Sequence, residues 1–361
     1  MSSEFEAIKA RLTAKKSTPI EPSVGLSTGS TLLNLACSGR ADYGFLPGHY
    51  YLWVGDSGSG KTFITLTALA EAANDPTFVK HRLIFDQPER GALMDFERFF
   101  GGKMAARVEP PAGTRDKPRY SDTLESFYDN VVKAVEAGPC VYVLDSMDAL
   151  QPSVDAEHAR KARAARAKGK DDGAGSYGTA KAKLNSAGIR EVHNALDKHG
   201  SILIIISQTR DNIGFDARFN PKTRGGGRAL TFYASLELWT SVKGHEKTTY
   251  KDKPVEQGVT VKIRVKKGRL SGKDRTVEVP IFHSVGIDDT GSCISWLVEW
   301  GHWKAVKGRI DATEFNLFGT VDKLAQQIEK AGKVRQLRRL VGKVWEEIEA
   351  SCMVKRQKRY D

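Results

Sequence analysis

The sequence predicts an α/β fold: a mostly parallel central sheet wrapped by helices. Two observations carry this expectation. Four apolar runs, at 50–54, 82–86, 140–144 and 201–206, are separated by stretches with helical periodicity. Between the first run and a helix start lies Gly55-Asp56-Ser57-Gly58-Ser59-Gly60-Lys61-Thr62. It has the spacing of a phosphate-binding loop in the strand–loop–helix context that loop requires.

The elements follow in order. Residues 3–16 suit a short helix with Phe5, Ile8 and Leu12 on one side, a stripe too small to stand alone. Thr18-Pro19-Ile20-Glu21-Pro22 reads as an extended linker. Tyr50–Val54 reads as a buried strand, and Phe63–Ala73 as the helix after the loop. Residues 122–136 align Leu124, Phe127, Val131 and Val135 on one helical face, and residues 180–198 align Leu184, Val192 and Leu196. The 201–207 run is apolar almost throughout, as a strand covered on both faces should be. After the glycines at 225–227, strands are expected at Leu230–Thr240, Val259–Lys267 and Thr276–Phe282, extending the sheet. A helix is expected at 291–300. One or two more should follow, with Val321, Leu324 and Ile328, then Val334, Leu337, Val341, Val344 and Ile348. The end, Lys355-Arg356-Gln357-Lys358-Arg359, is basic.

Composition narrows the class. The chain has 361 residues, 40% of them hydrophobic and 28% charged, which is ordinary for a globular protein. No apolar run approaches the ~18 residues of a membrane span. The N-terminus lacks the basic-then-apolar order of a secretion signal. Cys37, Cys140, Cys293 and Cys352 are widely spaced, which speaks for a reducing cytoplasm and against zinc or a disulfide scaffold. The net charge of +12 favours a polyanionic partner.

The loop defines the chemistry. Its glycines let backbone N–H groups curl around phosphate oxygens, and the following helix N-terminus adds partial positive charge. Lys61 is placed to reach the outer phosphates, and the Thr62 hydroxyl to hold Mg²⁺. The expected cofactors are therefore ATP and Mg²⁺. Val141-Tyr142-Val143-Leu144-Asp145-Ser146 is an apolar strand ending in a carboxylate, which suits Asp145 to the metal shell. Hydrolysis also needs a group that orients water. Asp86 and Glu89, in Leu83-Ile84-Phe85-Asp86-Gln87-Pro88-Glu89-Arg90, are both candidates, and Glu89 is favoured. Gln208 ends the 201–206 strand and is suited to sense a terminal phosphate.

Two segments suit nucleic acid. Residues 152–183 carry Arg160, Lys161, Arg163, Arg166, Lys168, Lys170, Lys181 and Lys183 with almost no large apolar residue. Residues 210–228 interleave Ile213, Phe215 and Phe219 with Arg210, Arg218, Lys222, Arg224 and Arg228, and include Gly225, Gly226 and Gly227. Such aromatics can stack on bases while the cations hold the backbone.

These pieces, in this order, resemble the RecA family of recombinases, including the bacteriophage UvsX type. The likeness covers roughly residues 24–300. It rests on Leu26-Ser27-Thr28-Gly29-Ser30 with Leu32–Ala36, on Leu46-Pro47-Gly48, and above all on Gln208–Gly214, Thr223–Leu230 and Phe232–Ser235. The resemblance implies a RecA-like ATPase core at 25–285, an oligomerisation arm at 1–24 and a small, basic, helical C-terminal domain at 286–361. It makes residues about 152–183 and 209–228 the first and second DNA-binding loops. It implies a helical filament on single-stranded DNA that pairs with homologous duplex and hydrolyses ATP between protomers, in a bacterial cytoplasm or nucleoid. Lys266, Lys267 and Arg269 then match cations that reach a neighbour's phosphates. The first loop is longer and more basic than the family's, and the basic end stands where bacterial relatives carry an acidic tail. A hexameric DNA motor and a non-exchanging ATP-binding filament or mediator are the competing expectations; the first predicts closed rings, the second coating without exchange.

Overall fold

The computed structural model describes residues 25–166, 178–212 and 222–356. The arm with Phe5, Ile8 and Leu12, and Lys168, Lys170, Ile213, Phe215, Arg218 and Phe219, lie outside these residues.

One ten-stranded sheet organises the chain. Its strands are β1 (His49–Gly55), β2 (Arg82–Asp86), β3 (Val108–Glu109), β4 (Cys140–Leu144), β5 (Ile202–Asp211), β6 (Lys222–Arg224), β7 (Leu236–Tyr250), β8 (Lys253–Gly268), β9 (Arg275–Phe282) and β10 (Gly286–Ile287). The order is β10-β9-β8-β7-β1-β5-β4-β2-β3, with β6 against β5. From β7 across β1 to β3 every pairing is parallel; β7 to β10 are antiparallel.

The near-continuous apolar strands follow from burial on both faces. In β1, Tyr50, Leu52 and Val54 join one core, while Tyr51 and Trp53 join the other. Helix α1 (Thr31–Ser38) and α2 (Lys61–Asn74) cover the second face. Helices α3 (Leu124–Glu136) and α5 (Gly178–His199) cover the first. Between them in sequence runs α4 (Ser153–Arg166), so the 152–183 segment contains helical turns at both ends. The α3 start is a capping box: Thr123 accepts from the Ser126 amide, and Ser126 answers the Thr123 amide.

Two expectations need correction. Leu230 is not in a strand; it is buried in the short helix α6 (Arg228–Tyr233), and β7 begins only at Leu236. Strands β7 and β8 also run far beyond the predicted lengths, closing through Lys251 (φ 47°) and Asp252 (φ 63°). Two successive left-handed residues match the twist of a hairpin, and no glycine marks this turn in the sequence.

The C-terminal region holds α7 (Asp289–Glu299), α8 (Val321–Lys330) and α9 (Val334–Ser351). It also holds a small antiparallel sheet that the sequence reading missed: β11 (Lys304–Val306), β12 (Arg309–Ala312) and β13 (Leu317–Gly319). Its apolar side chains, Leu297, Leu324, Leu337 and Val341 among them, belong to the same core as Leu33, Val277 and Val279. Asp289 clamps the junction. It accepts from the Thr31 amide (2.6 Å), the Thr31 hydroxyl (2.9 Å) and Arg338 Nε (2.9 Å). Among the described residues, no helix is long and apolar enough to cross a membrane.

Candidate nucleotide site and its link to the basic loops

Sheet register gathers the predicted residues at one edge. Gly55 is paired with Gln208, Ile205 with Leu144, and Leu144 with Asp86. The carboxyl ends of β1, β5, β4 and β2 therefore converge, where an open parallel sheet places its ligand.

The phosphate loop leaves β1 at Gly55, whose Cβ, if it had one, would lie 2.1 Å from Thr240 Oγ1. Only glycine tolerates that approach. Gly60 (φ 79°) caps α2 without a side-chain hydrogen bond, leaving the helix amides to an anion. Lys61 Nζ donates to the Gly55 (2.9 Å) and Asp56 (2.6 Å) carbonyls. Burial holds its pKa below the ordinary value, against the pull of Asp145, Asp56, Glu89 and Asp148. Thr62 Oγ1 donates to Asp145 Oδ2 (2.6 Å). Burial pushes the Asp145 carboxyl above its ordinary range and Glu89 adds to this, while Thr62 opposes it. A buried ammonium and a half-buried carboxylate, each disfavoured in its charged form, fit a site completed by phosphate and a divalent cation.

Geometry separates the two candidates for orienting water. Asp86 is fully buried and closed off. It accepts from the Ser121 amide (3.0 Å), the Ser121 hydroxyl and the Tyr142 hydroxyl (2.6 Å). Glu89 is the third residue of a turn closed by Arg90 N donating to Gln87 O (2.9 Å), with Pro88 at its second position. That turn brings Glu89 Oε1 to the Ser146 hydroxyl and to Gln208 Nε2 (3.2 Å). Glu89, Gln208, Thr62, Asp145 and Lys61 are thus brought together; Asp86 is not.

The end of β5 is tied to the same edge residue by residue. Ser207 Oγ (2.8 Å) and the Gln208 amide (2.6 Å) donate to Asp148, and Arg210 pairs with it at 3.6 Å. Thr209 Oγ1 donates to the Asp56 carboxylate, and Lys222 of β6 bridges Asp56 (3.3 Å) and Asp211 (2.9 Å). Sequence reasoning missed Ser146, Asp148 and the Asp56 side chain in these roles. Nothing local marks them, since their partners lie on other strands.

The basic residues divide. Arg160, Lys161, Arg210 and Arg228 are exposed, with Lys161 paired to Glu157 (2.8 Å). Arg163 and Arg166 lie in α4. Two expected DNA contacts turn inward instead. Lys181 Nζ donates to the Met147 (2.9 Å) and Leu150 (2.7 Å) carbonyls. Arg224, its side chain 8% exposed, donates to the Gly225 (2.8 Å) and Gly227 (3.2 Å) carbonyls beside Glu237. These bonds hold the glycine run in shape, with Asn185 Nδ2 on the Gly226 carbonyl (2.9 Å).

Lys266, Lys267 and Arg269 stand apart from this chain's own phosphate loop. Gly268 is opposite Leu236, which pairs with Tyr51, several residues before Gly55. Lys267 Nζ (2.8 Å) and an Arg269 guanidinium nitrogen (2.6 Å) donate to the Phe232 carbonyl at the end of α6, and Lys266 lies 4.3 Å from the Trp239 ring centre.

Comparison with known proteins agrees with this architecture. Residues 131–288, from within α3 to β10, match the RecA N-terminal domain family. The RecA protein of Chlorobaculum tepidum is 28% identical over 283 residues, covering 76% of this chain and 70% of that protein. The Bacillus subtilis RecA protein is 29% identical over 245 residues, covering 66% and 60% respectively. That of Streptococcus uberis is 29% identical over 274 residues, covering 74% and 63%.

Proposed function

We propose that this chain, similar to RecA proteins over most of its length, is a RecA-family ATP-dependent DNA recombinase. It forms a helical filament on single-stranded DNA, pairs that strand with homologous duplex and exchanges strands, with DNA-stimulated ATP hydrolysis. A partner of this kind places it in the cytoplasm or nucleoid.

The observation that carries the reading is the Gln208–Glu89 contact (3.2 Å). One bond joins the group suited to orient water to the strand that leads directly into the second basic segment. Mg²⁺–ATP, when bound, supplies the polarised terminal phosphoryl group. The residues do the rest. Lys61, now on the Gly55 and Asp56 carbonyls, would hold phosphate oxygens. Thr62 and Asp145, now bonded to each other, would hold the cation. Glu89, freed from Ser146 and Gln208, orients the attacking water. Gln208 moves with it, so the β5 end and nucleotide state change together. Arg210, Arg228, Arg160 and Lys161 present cations to the DNA backbone. Lys266, Lys267 and Arg269 lie far from their own phosphate loop, which suits donation to a neighbour's site and makes hydrolysis depend on assembly.

The test is ATP turnover with single strands, duplex or no DNA, beside electron microscopy and a displacement-loop assay with homologous and heterologous duplex. Open filaments, single-strand stimulation and homology-dependent joints are expected. Closed rings with directional unwinding would overturn the reading, and so would filaments that never form joints.

A further inference from the structure

Asp56, the second residue of the phosphate loop, is ionised at the mouth of a site built for anions. Its field reaches the Lys61 ammonium, and Thr209, then Lys222, hold its carboxyl below the ordinary pKa against partial burial. A carboxylate there repels incoming phosphates unless something neutralises it. The neutralising groups come from the two strands that carry the second basic segment. Thr209 lies on β5, directly after Gln208, and Lys222 lies on β6, antiparallel to it.

We propose that Asp56 is a positioning residue that couples phosphate binding to the docked state of the β5–β6 stem. With Lys222 seated, the charge is compensated and nucleotide binds more tightly. With the stem displaced, the bare carboxylate weakens nucleotide binding. Linkage makes the effect reciprocal: bound nucleotide favours the seated stem, and whatever seats the stem favours nucleotide. Lys222 also pairs with Asp211 (2.9 Å), so the bridge braces the stem across its two strands. This connection runs through Thr209 and Lys222, whereas Gln208 acts through Glu89. It rests on the reading of the site as an ATP site coupled to DNA.

The experiment measures the affinity of a fluorescent ATP analogue, with Mg²⁺, with and without oligothymidylate. Wild type, Lys222→Met, Asp56→Asn and the double variant are compared. Lys222 is half exposed, so its replacement leaves the core untouched. Lys222→Met is expected to weaken DNA-free nucleotide binding at least about fivefold, the lower end of site-to-site coupling. Adding Asp56→Asn to it should recover most of that loss, because no charge is then left to compensate. Asp56→Asn alone should bind nucleotide at least as tightly as wild type without DNA, yet lose most of the DNA-induced gain. A purely structural role for Asp56 would make the double variant worse than either single one, and that result overturns the proposal. So does a Lys222→Met protein indistinguishable from wild type in both measurements. A wild-type protein that binds no nucleotide, or whose affinity DNA does not change, instead overturns the underlying functional reading, and the proposal falls with it.

Discussion

Asp86 and Asp145 end neighbouring parallel strands after near-identical apolar runs, yet the protein treats them oppositely. Asp86 is enclosed: one amide and two hydroxyls converge on its carboxylate. Asp145 has the Thr62 hydroxyl and, around it, Glu89 and Lys61. Burial raises both carboxyls above their ordinary range. At Asp86 Ser121 and Tyr142 offset part of that cost; at Asp145 the Thr62 hydroxyl and the Lys61 charge do so, and the open side leaves room for a ligand. The closed end serves as scaffold, and the open end is the one a ligand can use.

The largest test of this contrast is turnover. Glu89→Gln should lower DNA-stimulated ATP hydrolysis by about 100-fold or more while nucleotide binding and filaments persist. Asp86→Asn should not act that way. If Asp86→Asn blocks turnover with the fold intact and Glu89→Gln does not, the assignment of the two is reversed. Lys61→Ala should abolish tight ATP binding, read by the same fluorescent analogue, and retained turnover would refute the site.

Stability gives the next effect. Asp86→Ala strands the Tyr142 and Ser121 hydroxyls in the core, each orphan costing about 1–3 kcal/mol. Its urea midpoint should fall clearly. Asp145→Asn should keep or raise the nucleotide-free midpoint, but lose the extra stability conferred by Mg²⁺–ATP.

A smaller effect is pH-dependent. The folded pKa of Asp145 is above its unfolded value, so the native state binds the proton more tightly. Between the two values stability then falls as pH rises, and it is regained as pH drops from the raised pKa toward the unfolded value. Asp145→Asn should flatten the nucleotide-free stability profile in that acidic window; an unchanged profile would mean the carboxyl is better satisfied than its surroundings indicate.

The smallest effect separates outward from inward cations. Neutralising the exposed Arg160 and Lys161 should lower the log–log salt slope of DNA affinity by roughly one unit per lost phosphate contact, or slightly less. Arg224→Ala should instead lower stability and leave the slope nearly unchanged, because its guanidinium is spent on carbonyls and Glu237. An unchanged slope in the first variant would place the DNA elsewhere.

Much of the candidate site's geometry was legible in the chain. The candidate phosphate loop is one contiguous run, so spacing alone marks it, and the places of Asp145 and Gln208 follow from strand ends. Less legible was anything needing a partner far away in sequence. Pro88 interrupts the approach to Glu89, and only the turn it builds shows why the carboxylate reaches Gln208. Lys181 and Arg224 read as DNA contacts because charge in a glycine-rich stretch carries no mark of direction. The β7–β8 hairpin was underestimated because Lys251-Asp252 turns without glycine. Strands β11–β13 were missed because they are too short to show a period.

Local chemistry by itself determined that this chain builds a helical-layered sheet around a phosphate loop, since apolar period and glycine spacing are properties of neighbours in sequence. Only the tertiary structure decided which carboxylate is closed and which is open, and which cations face outward. Those outcomes depend on desolvation and on donors from distant strands, and neither is written in any short stretch of residues.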